Sequence, residues 1–283
     1  MSQIEINGLS KNFGNTEALA NINLALESNK IYGLLGRNGA GKTTLLNLIT
    51  NKLFPDSGQI LIDGNSTQEN DHVQGKIYCM AEKSLHPENM KVKDAFKWTR
   101  EFYRDFDIAY AKELAVRFEL KVDKKIKTLS TGYASIFKMI LALASNAEII
   151  LFDEPVLGLD ANHRDMFYRE LMANYSLRPK TIVISTHLIE EAANLLEDVI
   201  ILKDGRILMV SNVTELLSKG YTVSGPSALV DDYIAGKNIL GSEIFGGLKS
   251  ASLLEESNIV DLPHGLELSK LDLQKLFIHL TNA

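Results

Sequence analysis

The stretch GRNGAGKTT runs from Gly36 through Arg37, Asn38, Gly39, Ala40 and Gly41 to Lys42, Thr43 and Thr44. Glycines stand where a chain must curl tightly, and a lysine and hydroxyls follow. Successive backbone N–H groups on such a curl, with the positive end of the next helix, make a cradle for a polyphosphate. The spacing GxxxxGK[ST] is that of the phosphate loop. Lys42 would bridge the β- and γ-phosphates, and the Thr43 hydroxyl would bind Mg²⁺. A glycine turn before an ordinary helix is the plain alternative. The apolar run IYGLLG ahead of the loop and a helical pattern behind it supply the strand-loop-helix context, so that alternative is set aside.

Asp153 and Glu154 leave the end of another apolar run, EIILF. Asp153 would complete the Mg²⁺ shell, and Glu154 could polarise a water for in-line attack on the γ-phosphate. Two carboxylates at a strand end are more often plain loop residues, but a phosphate loop in the same chain reverses those odds. His187 ends TIVIST, where its side chain could contact the γ-phosphate and hold the attacking water; a lone loop histidine is usually just solvated, so its role rests on the whole arrangement. LSTGY, with Ser130, Thr131 and Gly132, is a small polar turn opening an apolar helix, again a place for an anion. It lies nearly ninety residues beyond the phosphate loop.

LSTGY, followed by IILFDEP, VLGLDANHR and STH, resembles the ATP-binding subunit of a bacterial ABC transporter over about residues 1 to 220, with the motifs in the usual order. The resemblance implies an α/β fold: a P-loop NTPase core of ABC ATPase type with an antiparallel β subdomain, a helical insertion and a small C-terminal α+β appendage. It implies ATP and Mg²⁺ as cofactors, and a head-to-tail dimer in which Ser130, Thr131, Gly132 and Asp160 serve the ATP held by the opposite subunit. Gly158, Leu159 and Asp160 match the D-loop, and Phe13 in LSKNFG becomes the aromatic that stacks on adenine. A core role for Phe13 stays open, since aromatics are mostly buried. Glu82 stands where the family has Gln as a metal ligand; it would add negative charge beside Asp153, which puts direct ligation in question. Thr131 replaces the first signature glycine and Tyr133 the glutamine, which should reduce activity without abolishing it.

The elements that must position these residues are legible as short apolar runs: residues 31–36, 76–81, 148–153 and 181–186. Each is apolar on consecutive residues, as strands covered on both faces are. QIEI, INLALE and GQILIDG read as antiparallel strands beside that core. VIILKDGRILMV reads as a hairpin turning at Asp204-Gly205. Val92, Ala95, Phe96, Thr99, Phe102 and Phe106 recur at helical spacing, as do Ile108, Ala111, Ala115 and Phe118; a third helix begins near Gly132 and buries Ile136, Phe137, Ile140, Leu141 and Ala144. The ATPase domain is placed at residues 1–220, its helical subdomain at about 83–146, and a C-terminal accessory domain at 221–283 closing in the amphipathic helix LSKLDLQKLFIHLTNA.

The chain has 283 residues, 45% of them hydrophobic and 23% charged, and a formal net charge of −6. That balance argues against general nucleic-acid binding, which needs clustered Lys and Arg. The single cysteine, Cys79, reads as a reduced, structural thiol. The apolar stretch 139–152 is broken by Asn146 and Glu148, and the N-terminus lacks the features of a signal peptide, so the chain is not expected to span a membrane; the resemblance implies a peripheral protein on the cytoplasmic face of the membrane. Its partners would be a second ATP-binding subunit, identical or similar, and an integral membrane subunit touching the helical insertion and the loop from Glu82 to Asn89, with Trp98 and Tyr103 flanking the groove.

Three function classes compete. A GTPase would need an NKxD-like guanine motif, absent here, and a P-loop kinase has no use for LSTGY. A non-transport ABC-type switch acting on another macromolecule usually carries two cassettes or long coiled-coil inserts. A transport motor remains, and likeness of LSTGY and FDEPVLGLDANHR to an exporter subgroup that includes amphipathic-peptide exporters favours export.

Overall fold

The computed structural model describes residues 3–81, 86–254 and 262–282. β1 (Ile4–Phe13) and β2 (Thr16–Leu26) form an antiparallel pair, joined by β4 (Ser57–Ile62) and β5 (Asn65–Ser66) in a sheet ordered β2-β1-β4-β5. Between them in the chain lie β3 (Ile31–Gly36) and α1 (Lys42–Ile49). After α2 (Asp71–Gln74) and β6 (Ile77–Met80) come the helices α3 (Val92–Phe102), α4 (Ile108–Arg117) and α5 (Thr131–Ala144). The chain then returns through β7 (Ile149–Asp153), α6 (Ala161–Leu177), β8 (Thr181–Ser185), α7 (Ile189–Ala192), β9 (Asp198–Lys203), β10 (Arg206–Asn212) and α8 (Val213–Ser218). The central sheet runs β10-β9-β3-β8-β7-β6; β9, β3, β8, β7 and β6 are parallel to one another, and only β10 is antiparallel.

Consecutive apolar residues in these strands have two destinations. In β7, Ile150 and Phe152 join the helical insertion in one packed cluster, while Ile149 and Leu151 join α1 and the antiparallel sheet in the other. Side chains alternate across a strand, so a strand covered on both faces must be apolar throughout. Full burial of a side chain such as Phe152 contributes about 1.5–3 kcal/mol. The β9–β10 hairpin turns with positive φ at both Asp204 (48°) and Gly205 (72°), the conformation that a type I′ turn requires.

Two helical positions depart from expectation. Phe102 is 62% exposed at the end of α3, and Phe106 is buried but lies past the helix, in the turn leading to α4. Helical spacing reports a shared face, and at the end of an element that face has run out of neighbours. Cys79 is half-buried and its thiol is pushed up by burial, in keeping with an inert thiol. No helix among the described residues is long and apolar enough to cross a membrane.

Beyond residue 220, β11 (Tyr221–Pro226), α9 (Ser227–Ile234), β12 (Ile239–Phe245), β13 (Leu248–Leu253) and β14 (Glu267–Lys270) form an antiparallel sheet ordered β12-β13-β11-β14. It has its own small core, with Val223, Val230, Ala251 and Leu253 among its members. The segment read from sequence as one closing helix is split: Leu268 to Lys270 belong to β14, and only α10 (Leu273–Asn282) is helical.

Candidate functional site

The phosphate loop sits where β3 gives way to α1. Gly41, at φ 105°, caps the helix without any side-chain hydrogen bond to its first turn. A Cβ there would lie 2.7 Å from both the Ala18 carbonyl oxygen and Leu19 Cδ2, so both its conformation and its space demand glycine. Lys42 is only 7% exposed, and its Nζ donates to the carbonyls of Gly36 (2.7 Å) and Arg37 (3.3 Å). Burial pushes its ammonium pKa down, opposed by the nearby carboxylates of Glu154 and Asp153. Neutral carbonyls are weak competitors for a desolvated ammonium, so phosphate oxygens would take it over.

The parallel sheet delivers the acids to the same end. Asp153 closes β7 in register with Ser185 on β8. Its Oδ2 accepts a hydrogen bond from Thr43 Oγ1 at 2.9 Å. Its Oδ1 and the Ser185 hydroxyl are buried and make no hydrogen bond among the described residues. An orphaned carboxylate oxygen beside a threonine hydroxyl fits Mg²⁺, whose hard shell takes one or two protein oxygens and fills the rest with phosphate and water. Ser185 was not singled out in the sequence; its only signal is its place at the end of TIVIST.

Glu154 follows with φ 49°, a left-handed conformation that costs a non-glycine residue about 1 kcal/mol or more. Its N–H donates to the Ser185 carbonyl (2.9 Å). That twist aims the carboxylate at His187, whose Nδ1 donates to Glu154 Oε2 at 2.8 Å. A carboxylate and an imidazole so joined can orient a water and move its proton. Phe13, at the end of β1, is 49% exposed with Lys11 Nζ 5.7 Å from its ring centroid, so it is a surface platform and not a core side chain. Glu82 lies outside the described residues.

The signature turn stands apart. Ser130 caps α5, its Oγ accepting from Tyr133 N at 3.4 Å. Ser130 and Thr131 are exposed and Gly132 is half-buried. No hydrogen bond or ion pair among the described residues joins them to the phosphate loop. They pack instead on the segment after Glu154: a Cβ on Gly158 would meet Thr131 Cγ2 at 3.1 Å, and Ser135 Oγ donates to the Leu157 carbonyl at 3.0 Å. Asp160 caps α6, accepting from His163 N (2.9 Å) and His163 Nδ1 (2.8 Å), which hold its carboxyl below the usual range. The contacts of Ser135 carried no sequence signal, because a serine on an otherwise apolar helix face looks like core.

Residues 19–157 match the family model described as ABC transporter. The ABC transporter ATP-binding protein YtrB of Bacillus subtilis is 34% identical over 213 residues, 75% of this chain and 73% of the relative. A Nod factor export ATP-binding protein I of Mesorhizobium japonicum is 29% identical, covering 86% of this chain and 68% of its own, and a ribose import ATP-binding protein of Caldanaerobacter subterraneus is 28% identical, covering 75% and 45%. Among solved structures, a dimeric ATP-binding cassette in a post-hydrolysis state with ADP and Pi superposes with a TM-score of 0.67 at 25% identity, covering 74% of this chain and 98% of that one. With the phosphate loop, the two acids and the histidine gathered at one end of a cassette-type sheet, this chain belongs to the ABC transporter ATP-binding proteins and is an ATP-hydrolysing subunit of that family.

Proposed function

We propose that this chain closes head to tail with a second ATP-binding subunit, identical or similar, on two ATP, and that reopening after hydrolysis moves a separate membrane subunit. The observation that carries the reading is the meeting of Thr43, Asp153, Glu154 and His187 through the 2.9 Å and 2.8 Å contacts at one end of the sheet. Backbone N–H groups from Gly39 to Thr44 and the Lys42 ammonium hold the phosphates, with Phe13 under the adenine. Thr43 and Asp153 would hold Mg²⁺, which when bound would neutralise phosphate charge. Glu154 accepts the proton of the attacking water as general base, and His187 fixes the Glu154 carboxylate. Ser130 and Gly132 cap the γ-phosphate on the opposite subunit, with Thr131 and Asp160 beside them.

The division at residue 220 into an ATPase domain and an accessory domain is part of this proposal, as is the peripheral position on the cytoplasmic face. The docking of the membrane subunit is assigned to the helical insertion. A groove of 710 Å³ opens between β6 and the helical insertion, lined by Tyr78, His86, Trp98, Phe102 and Tyr103 among others, with Trp98 and Phe102 exposed. An amphipathic helix of a membrane subunit suits such a groove.

Glu154→Gln tests the motor. It should bind ATP, lose turnover by at least about 100-fold, and run as a dimer on size exclusion with ATP; parental turnover would remove Glu154 as the base. Export is the proposed direction, from the exporter-like LSTGY and FDEPVLGLDANHR. In inside-out vesicles carrying the co-purified membrane subunit, ATP should drive an amphipathic peptide into the lumen, and ATP-driven release from the lumen would reverse the assignment.

A further inference from the structure

The C-terminal helix does not stay with the appendage that precedes it. In α10, Leu273, Leu276, Phe277 and Leu280 fall at i, i+3, i+4 and i+7, one apolar stripe. Leu273 and Leu276 are fully buried, and with Leu271 they join the cluster built from Ile182 and Ile184 of β8 and Ile189 and Ala192 of α7; Phe277 and Leu280 pack against the same cluster. The helix therefore lies on α7, which begins two residues after His187. Its other flank is held by the appendage: a Cβ on Gly241 of β12 would lie 2.1 Å from His279 Nδ1, so β12 passes against the His279 ring.

The far end of α10 reaches the phosphate loop. Arg37 Nη1 donates to Asn282 Oδ1 at 3.2 Å. Arg37 stands between Gly36, whose carbonyl holds Lys42, and Asn38. One helix thus touches the appendage sheet, the segment behind His187 and the phosphate loop.

We propose that α10 is a strut between the appendage and the ATP site, and that Asn282 is a positioning residue which fixes the phosphate loop through Arg37. The proposal rests on the reading of residues 36–44 as the ATP site. Removing the tether leaves Arg37 charged but lets the loop fluctuate among conformations of which only some align its N–H groups. ATP then binds a smaller competent population, while chemistry after binding is untouched.

The test uses the full chain, a fluorescent ATP analogue with Mg²⁺, and steady-state ATP hydrolysis. Asn282→Ala should raise both the Kd of the analogue and KM for ATP about threefold, the scale of one ordinary hydrogen bond, as suits a pair exposed to water. Its kcat should stay within about twofold of the parent, and its nucleotide-free melting temperature should not change. Asn282→Asp, which still accepts from the guanidinium, should restore parental affinity. In an Arg37→Ala background, Asn282→Ala should have no further effect. An unchanged or lowered Kd for Asn282→Ala, or an equal rise with and without Arg37, overturns the strut. A parent chain that neither binds the analogue nor hydrolyses ATP would overturn the ATP-site reading itself.

Discussion

The phosphate end of the central sheet and the signature turn are both built from a small polar turn at a helix start, yet they end differently. At the phosphate end the side chains find partners inside the chain: Lys42 on the loop carbonyls, Thr43 on Asp153, His187 on Glu154. At the signature turn Ser130 caps its own helix and then faces outward with Thr131, its neighbours being the loop after Glu154 and not the phosphate loop. A buried polar group left without a partner costs about 1–3 kcal/mol, whereas an exposed donor costs nothing until it is covered. The grip on the phosphates is built within one chain, whereas in the proposed dimer the turn stays exposed until another chain's nucleotide meets it.

The largest expected effect lies at the phosphate end, on the half-exposed His187. His187→Ala removes the donor that fixes Glu154, and turnover should fall about 100-fold while ATP affinity stays close to parental. Single-turnover hydrolysis with a separate binding measurement checks it, and a pure loss of affinity would move His187 from chemistry to binding. A smaller effect sharpens the exposed side. Thr131→Gly removes the methyl that packs on Gly158 and should raise saturating turnover about twofold, if bulk at the turn is what limits closure. A fall instead would mean that the Thr131–Gly158 contact holds the turn in its capping position. Steady-state rates at saturating ATP and equal chain concentration separate the two.

Much of this was legible in the sequence for physical reasons. Strands buried on both faces leave uninterrupted apolar runs, so β3, β6, β7 and β8 fall within a residue of their expected limits. The Asp204-Gly205 pair announces a turn because few residues accept two positive φ angles in succession. The phosphate loop is legible because its chemistry is carried by the backbone, and only a narrow set of residues lets the backbone do it. The left-handed Glu154 was not, since nothing in DEP marks it. Nor was the docking of α10 on the ATPase core: an amphipathic stripe says that a face is buried and leaves its partner unnamed. The strand at Leu268–Lys270 was lost inside a helical pattern because a few alternating residues satisfy either period.

The measurement that reaches the central claim most directly mixes two inactive chains. Lys42→Ala lacks the phosphate grip and Ser130→Ala lacks the cap, and each alone forms only defective sites. If every ATP lies between the phosphate loop of one chain and the signature turn of another, a mixed pair contains one intact composite site, and an equimolar mixture should recover about a quarter of parental ATP hydrolysis by random pairing. A mixture no more active than the mean of its two components would contradict the shared site.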